Sequence, residues 1–521
     1  MPALSRGFRF SLILLGSAAQ LGAQLPPITV PGGRARFDIG GRFSWWDQVF
    51  VAGVKREAIA DFLRDPVDAG FLPGLGESEA LLRTVTGVQA LSFTPGRTTG
   101  SLAFNVGSIE LGAAIGVTSR ITLFGTVPIR RVRVQEQLLI DSTGATAGFN
   151  PADPLFGDPQ GASTTTAFLS ELATALSNLN AAIAAGQYDQ DPARLAEAQQ
   201  TLTRGTALRT GLENLLLGAP FLPLAGSPGG LALTSSIDSL RARLKSLDSD
   251  TTTVELGGSP ALPTQGLAPE ALEDYVTRSS ITQAQPFEPE IFSAIGDIQV
   301  GAAFALLTGA PPASGISVRA VVRGTVTLPT ARLPDPNGLF AIGTGERVTA
   351  LTADLVTDIM TNRFGARLSA GLTLPQTAAL QRRIAAPDQP IAPVSALATI
   401  ERQPGRIFEL SVEPYGRIAQ GFSFVGGVTY RTRQADRYGW GAGQPEIAGL
   451  DPAVLGLGSK ANATLLSAGF SFAHSGVRRD GRVGLPLDAI VRGQMVIGSK
   501  EGRVIADRSV VFGLRAYAKI F

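Results

Sequence analysis

The sequence predicts an all-β membrane protein, an antiparallel transmembrane β-barrel of about 12 strands (14 as the alternative count), with a helical insertion. Segments of alternating apolar and polar residues recur along the chain, and short and long connections alternate between them. After the first residues there is no apolar run long enough for a membrane-spanning helix, although 44% of the residues are hydrophobic. A barrel accounts for this combination because it places apolar residues at every second position of its strands.

The first residues have the order of a secretory signal peptide. Arg6 and Arg9 precede a short apolar run, Ser11–Gly16, and small residues follow up to Ala23. This run is far shorter than the roughly 20 residues of a membrane-spanning helix. We therefore expect residues 1–23 to direct export and to be cleaved after Ala23.

The clearest strand is Ile316–Leu328, whose even positions are apolar and whose odd positions include Arg319 and Arg323. A period of two indicates a strand with one apolar and one polar face. The apolar phase slips at Gly107–Ser108, which predicts either a β-bulge or two shorter elements there. The pattern predicts strands near residues 34–46, 98–117, 121–134, 295–308, 315–331, 346–360, 363–376, 405–417, 420–435, 460–474, 483–498 and 504–521.

The connections provide a second, independent pattern. Thr118–Arg120, Thr361–Arg363 and Ile418–Gln420 are tight turns. Bacterial outer-membrane barrels have short periplasmic turns and longer extracellular loops, so the long connections are expected on the outside of a Gram-negative outer membrane. The long connections cover residues 47–97, 135–294, 332–345, 377–404 and 436–459.

The longest connection predicts a helical extracellular insertion, residues 135–294, between N-terminal barrel strands (24–134) and C-terminal barrel strands (295–521). Apolar residues recur at helical spacing over Phe168–Ile183. Asp191-Pro192 predicts the N-cap and first turn of a second helix, and Ser235–Leu247 a third. The insertion is either a cap that packs its own leucines or a lid or plug over the pore.

Composition and motifs argue against several kinds of chemistry. The formal net charge of +2 offers no electrostatic case for nucleic acid, and the absence of cysteine removes thiol chemistry and thiolate metal sites. The only histidine, His474, precedes Ser475, but adjacent strand residues point to opposite faces, so a rim residue is expected rather than a catalytic pair. We expect no enzyme activity, no cofactor and no metal site.

Three segments carry a family resemblance. Ile109–Val127 reads IELGAAIGVTSRITLFGTV, Gly296–Leu307 reads GDIQVGAAFALL and Ala320–Arg332 reads AVVRGTVTLPTAR. These motifs resemble the outer-membrane transporter family of meta-pathway phenol degradation, itself similar to fatty-acid-transporter-like barrels. The chain departs from that family at Ala303 and Phe304, where Lys-Tyr is usual. No N-terminal segment matches the plugging hatch of fatty-acid transporters.

The resemblance implies an outer-membrane location, contact with outer-membrane lipid and lipopolysaccharide, and insertion by the barrel-assembly machinery. It also implies passage of small solutes, hydrophobic or aromatic ones among them. The alternating strand Val510–Ile520 followed by Phe521 likewise resembles the end of bacterial outer-membrane barrels.

The polar faces are where function is expected. An isolated Arg at the bilayer midplane costs roughly 2–4 kcal/mol, so the charged face must be wet or internally paired. The charges either pair across a narrow lumen, or a basic wall (Arg319, Arg323, Arg367, Arg431) faces an acidic one and selects solutes. The predicted lumen residues are Arg36, Asp38, Arg42, Arg319, Arg323, Asp354, Asp358, Arg367, Glu409, Glu413, Arg431, Asp488, Arg492 and Arg515.

Two functions follow from this pattern. The leading one is an outer-membrane channel or transporter that passes small molecules through a charged lumen. The alternative is a non-conducting barrel that displays its loops and helical insertion for a ligand or partner.

Overall fold

The computed structural model describes residues 25, 27–51, 55–59, 66–248, 255–287, 289–309, 315–386, 389, 391–474 and 486–520. The expected signal peptide of residues 1–23, Ser475 and the terminal Phe521 lie outside this part of the chain.

Twelve antiparallel strands, each paired with its neighbours in the sequence, close into a barrel where the last strand pairs with the first. The number of strands is the predicted one, and the alternative of 14 is wrong. Closure gives every wall strand a hydrogen-bonded neighbour on both sides and leaves no open sheet edge, as a hydrocarbon surrounding requires. The barrel strands are β1 (Arg34–Trp46), β2 (Arg97–Gly116), β3 (Ile121–Asp141), β4 (Gln299–Thr308), β5 (Ser317–Thr327), β6 (Ala350–Met360), β7 (Phe364–Pro375), β8 (Ile407–Ala419), β9 (Phe422–Arg433), β10 (Ala461–His474), β11 (Leu487–Gly498) and β12 (Arg508–Lys519).

The outward face of the barrel is apolar. In β1, Phe37 is 57% exposed while its neighbour Arg36 is only 7% exposed, the reverse of what a water-soluble sheet shows. The outward apolar residues of β3 run from Ile121 to Ile129, about the 9–11 residues that a tilted strand needs to cross a bilayer. The molecule is therefore a barrel of the outer-membrane type, with its apolar belt towards lipid.

None of the helices in the described ranges is both long and apolar enough to cross a membrane.

The two ends of the barrel differ in their connections. Residues 117–120, 361–363 and 420–421 join strands at one end, the short-turn end. β1 begins and β12 ends there as well. At the opposite end, the long-loop end, strands are joined by residues 47–96, 142–298, 328–349, 376–406, 434–460 and 499–507. The predicted alternation of short and long connections is confirmed.

β2 and β3 form a hairpin longer than the membrane is thick. They pair without a register shift over their whole length, so neither the bulge nor the break expected at Gly107–Ser108 occurs. Nearer the short-turn end, odd-numbered residues such as Ile109 face lipid; beyond the slip, even-numbered residues such as Phe104 pack against helices. The apolar phase changes because the surroundings of each face change where the hairpin leaves the membrane.

Five helices lie in the long-loop connections. The side chain of Asp191 accepts hydrogen bonds from the amides of Ala193 and Arg194, which confirms the predicted N-cap. The sequence pattern predicts neither the helix Leu75–Thr86 nor the helix Ala271–Arg278, because these short runs offer few apolar repeats. The helices are α1 (Leu75–Thr86), α2 (Pro159–Ala184), α3 (Pro192–Gly218), α4 (Pro228–Leu247) and α5 (Ala271–Arg278).

The helices and the inner face of the β2–β3 hairpin share one apolar core. Leu172, Leu212 and Leu244 are fully buried, together with Val132 and Leu138 of β3. The even-numbered face of the hairpin points into the lumen nearer the short-turn end, so the helices lie on the lumen side of the barrel mouth. The helices bury their leucines against one another and lie beside the opening of the barrel.

His474 is the last residue of β10, at the short-turn end, which is the rim position expected for it.

Shorter elements complete the long-loop end. A strand of residues Glu290–Ile295 pairs with β3 beyond the part that β4 pairs with. The other short strands are Gln48–Val51, Lys55–Ala58, Ala147–Phe149, Phe221–Pro223, Ala378–Arg383, Leu397–Gln403, Arg437–Trp440 and Arg503–Ile505, and the 3-10 turns are Val394–Ala396 and Pro452–Gly456.

Candidate functional site in the barrel lumen

All of the charged residues predicted to line the lumen lie on the inner face of the barrel, opposite the exposed apolar residues of their strands. They do not form a basic wall opposite an acidic one. The register places Arg319 opposite Asp358, Asp358 opposite Arg367, and Arg367 opposite Glu413, on β5 to β8. Acids and bases therefore alternate along neighbouring strands.

The row closest to the short-turn end is tightly paired. Nε and Nη2 of Arg367 donate to the two carboxylate oxygens of Asp358 at 2.7 and 3.0 Å. Nη1 of Arg319 lies 3.7 Å from the same carboxylate. Such a two-pronged arginine–carboxylate pair fixes geometry as well as charge.

A second row lies nearer the long-loop end. Nε of Arg323 donates to Oδ2 of Asp354 at 2.9 Å, and Nε of Arg431 donates to Oε2 of Glu409 at 2.8 Å. Gly371 occupies the register position between the two acids, so the pairs stand apart. Their charges partly face water.

One ion pair joins strands that are not neighbours. Nη1 of Arg492 on β11 donates to Oε1 of Glu413 on β8 at 2.7 Å, past β9 and β10. A Cβ at Gly427 of β9 would lie 3.3 Å from Cγ of Glu413, and a Cβ at Gly469 of β10 would collide with Arg492. These two glycines leave the space through which the pair reaches across the lumen.

A third group of charges lies on β1, β11 and β12. Nε and Nη2 of Arg36 donate to Oδ2 of Asp38 at 3.0 and 2.9 Å, and Nε of Arg515 lies 3.5 Å from Oδ1 of Asp38. The hydroxyl of Tyr517 donates to Oδ2 of Asp488 at 2.6 Å. Within this group every acid has a nearby donor.

Arg42 lies closer to the long-loop end, where it forms an ion pair with Asp507. Asp507 belongs to the connection just before β12, and the sequence pattern did not single it out. Each side chain predicted for the lumen thus has at least one charged or hydroxyl partner.

The exposure of the inner face falls along the barrel axis. The side chain of Arg431, near the long-loop end, is 54% exposed, whereas that of Asp358, near the short-turn end, is 4% exposed. The lumen therefore has a solvent-exposed vestibule at the long-loop end and a closely packed charged layer near the short-turn end. Electrostatic interactions of such charges are stronger where water is excluded.

The short-turn end of the lumen is occupied by the chain itself. Leu25 is buried against the inward side chains of Met360, Tyr415 and Val425. Nη1 of Arg36 donates to the carbonyl oxygens of Ile28 and Pro27 at 3.0 and 3.2 Å. We call the segment formed by residue 25 and residues 27–31 the N-terminal segment.

Two further contacts hold the N-terminal segment. The amide of Val30 donates to Oγ1 of Thr122 at 2.8 Å, and Val30 itself is buried. Gly116 lies so close to the carbonyls of Val30 and Pro31 that a side chain there would collide with them. The segment is held by side chains and close packing, not by strand pairing.

A separate set of charges ties the long loops together above the mouth. The Asp436 carboxylate accepts hydrogen bonds from Arg402 and Arg433 and from the amide of Gly405, each at 2.9 Å. Glu346 lies 3.2 Å from both guanidinium groups. Burial works against the ionised form of Asp436, but the Gly405 amide and the two arginines together hold its pKa below the usual range.

Sequence reasoning missed the N-terminal segment, Asp507 and the Asp436 cluster. A signal for the first exists: Leu25–Pro31 is largely apolar, unlike a polar linker. Across the described ranges, no group of three or more His, Asp or Glu side chains converges as metal ligands would.

No family model matches the chain, and no curated protein matches it. Among solved structures, an outer membrane channel from Pseudomonas putida F1 aligns at 9% identity over 95% of this chain and 100% of that one, with a TM-score of 0.41. The Pseudomonas putida toluene transporter TodX aligns at 11% identity over 94% and 90%, with a TM-score of 0.25. The β domain of the Bordetella autotransporter Brka aligns at 8% identity over 92% and 98%, with a TM-score of 0.29. Likeness this weak carries no functional argument.

Proposed function

We propose that the protein is an outer-membrane channel for small solutes, and that the N-terminal segment closes it at rest. The observation that carries this proposal is how the exposure and packing of the inner face change along the barrel axis. A wet, charged vestibule leads from the long-loop end to a packed layer, and the chain that blocks the layer has no strand partner. A segment held by a few hydrogen bonds can leave at far lower cost than a wall strand can.

The lumen chemistry supports a filter for polar or charged groups. Rows of alternating sign offer both donors and acceptors to a solute, because each arginine and each acid keeps further hydrogen-bonding positions. A solute that carries a polar or charged group would match this surface better than a pure hydrocarbon would.

The long-loop end faces the outside of the cell in this proposal, following the rule for outer-membrane barrels. Outer-membrane lipid and lipopolysaccharide surround the apolar belt, and the barrel-assembly machinery inserts the chain. The sequence has no cysteine, so a single Cys introduced at the exposed Ala196 of α3 reports orientation. A membrane-impermeant maleimide should label Ala196→Cys but not Asn362→Cys on intact cells; the opposite result would invert the topology.

The test of transport is single-channel conductance in planar bilayers, using refolded protein without residues 1–23. Three further forms are compared: one lacking residues 24–31, one with those residues replaced by a Gly/Ser stretch of equal length, and one lacking residues 141–290. Conductance steps that appear or grow in the form lacking residues 24–31 and in the Gly/Ser form identify the N-terminal segment as the gate. Conductance steps that appear only in the form lacking residues 141–290 make the helical insertion a lid.

The alternative function, a non-conducting barrel that displays its loops, has one observation in its favour. The charged layer near the short-turn end is paired and buried, as in a lumen filled for stability. Silence in all four forms, from protein that migrates as a folded barrel, would establish this alternative and overturn the channel. We propose no catalytic step for either function.

A further inference from the structure

A cavity of about 450 Å³ opens beside the barrel wall at the long-loop end, separate from the lumen just described. It lies where β8 begins, β9 ends and β10 begins. Its lining comprises residues 403–406, 434, 435, 437 and 460. The volume falls in the range of small-molecule sites. Three of the lining residues are basic, namely Arg406, Arg437 and Lys460.

Arg406 lies on the lipid side of the barrel wall. The amide of Gln434 donates to the carbonyl oxygen of Arg406 at 3.0 Å, so the ladder between β8 and β9 continues past the first residue of β8. Alternate strand residues share a face, so Arg406 lies on the same side as Phe408, an outward apolar residue that is 43% exposed. Arg406 is thus the first outward position beyond the apolar belt on β8.

Arg437 faces away from the charge cluster above the mouth. It begins the short strand Arg437–Trp440 and lies opposite Gln403 in the register. The neighbouring Arg402 points to the other side, where it donates to the Asp436 carboxylate. Successive strand residues alternate in direction, so Arg437 and Gln403 share the face on which the cavity lies. The Asp436 carboxylate therefore does not neutralise Arg437.

Lys460 completes the group just before β10. It has the same parity as Leu466, which is 43% exposed on the outward face of that strand. Its Nζ lies 3.1 Å from Oε2 of Glu501, but the two side chains are 62% and 48% exposed. An ion pair this open to water is weak, and the ammonium group keeps further donors for another partner.

The cavity gathers three cations, and no carboxylate of the described residues lines it. The side chains of Arg406 and Arg437 form neither hydrogen bonds nor ion pairs within that part of the chain. Like charges around one concavity repel each other, and a protein wall screens them less than open water does. A bound anion removes this repulsion. Phosphate is the best match, because a guanidinium group holds two of its oxygens at once and an ammonium group adds a compact charge.

The position of the cavity decides what carries the phosphate. Phe408 and Tyr430 face outward, are 43% and 41% exposed, and mark the edge of the apolar belt on the membrane side of the cavity. Lipid head groups lie immediately beyond the hydrocarbon, at the level where aromatic residues concentrate. We propose that the cavity binds the phosphorylated head group of a lipid in this leaflet, with Arg406, Arg437 and Lys460 as its cationic partners. In the orientation proposed above this lipid is lipopolysaccharide, and the inference rests on the proposed function for that orientation alone.

The test is equilibrium binding of diphosphoryl lipid A to the purified protein in detergent, measured by native mass spectrometry. Diglucosyl diacylglycerol, which has sugars and acyl chains but no phosphate, is the comparison lipid. We expect lipid A to bind more tightly by about tenfold or more, and Arg406→Gln/Arg437→Gln to abolish this advantage while leaving diglucosyl diacylglycerol unchanged. Arg204→Gln/Arg363→Gln, which removes the same charge from two exposed arginines outside the cavity, should change neither affinity.

Inorganic pyrophosphate separates a lipid-borne phosphate from a free one. We expect it to bind far more weakly than lipid A, because it lacks the acyl chains that the adjoining apolar belt holds. Pyrophosphate that binds as tightly as lipid A would assign the cavity to free phosphates and overturn the lipid as their source.

The double variant Arg406→Gln/Arg437→Gln should keep the heat-modifiable migration of a folded barrel, because neither side chain has a bonded partner in the described residues. If it does not fold, Lys460→Gln replaces it and should weaken lipid A binding by about threefold or more. Full lipid A affinity in the variant that folds, equal affinity for the two glycolipids, or an equal loss in Arg204→Gln/Arg363→Gln would overturn the site. Phosphate-dependent binding by a barrel that never conducts would retain the site and reject the channel; conductance without such binding would do the reverse.

Discussion

Nη1 of Arg36, a residue of the first wall strand, donates to the carbonyl oxygen of Ile28 at 3.0 Å and so binds the N-terminal segment to the inner face of the barrel. The same guanidinium group is bonded to Asp38. The contact links the charge pattern of the wall to the N-terminal segment that occupies the short-turn end of the lumen.

Arg36→Ala should loosen the N-terminal segment and increase channel opening. Hydrogen bonds from a charged group are worth about 1.5–3 kcal/mol, so the open population should rise roughly tenfold or more. Planar-bilayer recordings measure the open fraction. Arg34→Ala, at an exposed arginine two residues earlier, serves as the control. Equal open fractions in the two variants would contradict a holding role for Arg36.

The Glu413–Arg492 pair should couple β8 to β11 across the lumen. We expect Glu413→Gln and Arg492→Gln each to destabilise the barrel, by about 1–3 kcal/mol for a partly buried pair, and the double variant to lose less than the sum. Urea unfolding in lipid vesicles measures these free energies.

The exposed pair Lys460–Glu501 provides the matched comparison, and its coupling should be near zero. Additive losses at Glu413 and Arg492 would show that their contact contributes nothing.

Charge reversal should act differently in the two rows of the lumen. Arg323→Glu lies in the wet vestibule, so the barrel should fold and its ion selectivity should shift towards cations. Arg319→Glu lies in the buried layer beside Asp358, where an added acid has no cation of its own, so the folded yield should fall steeply. Reversal potentials in a salt gradient and gel migration measure the two effects. Unchanged selectivity in folded Arg323→Glu would remove the vestibule from the filter.

Glu136 should make the stability of the packing between the β2–β3 hairpin and the helices depend on pH. Its side chain lies on the inner face of β3 beyond the membrane. Burial, with repulsion from Glu290 and Glu273, raises its pKa to about 7. The fold thus favours the uncharged carboxyl of Glu136. The stability that this preference contributes is fully present below about pH 4.5 and is lost as pH rises through about 7.

Glu136→Gln should therefore be more stable than the parent at pH 8 by about 1 kcal/mol, since water screens a partly exposed carboxyl, and equal to it near pH 4.5. Urea midpoints at both pH values measure the difference. Glu197→Gln, at an exposed position of α3, should show no such difference. A parent and a Glu136→Gln protein that lose stability in parallel would contradict the assignment.

The local features of the barrel could be predicted because the strand period is local. Whether Arg319 and Val318 face opposite sides depends only on their adjacency, so the twelve strands and the inner position of the charged residues followed from alternation alone. The helix start at Asp191 is local in the same sense, since an N-cap bonds to residues two and three positions later.

The sequence by itself determined which residues form the barrel strands, which of them face lipid and where the three long helices of the insertion lie, because these depend on neighbours along the chain. The tertiary structure alone decided that Arg492 meets Glu413 across two strands and that Arg36 holds the N-terminal segment. Barrel closure decided both, because it brings together residues far apart in the chain. The slip at Gly107–Ser108 shows the same limit: the pattern recorded a change of surroundings, and only the folded molecule revealed that the surroundings change from lipid to helices.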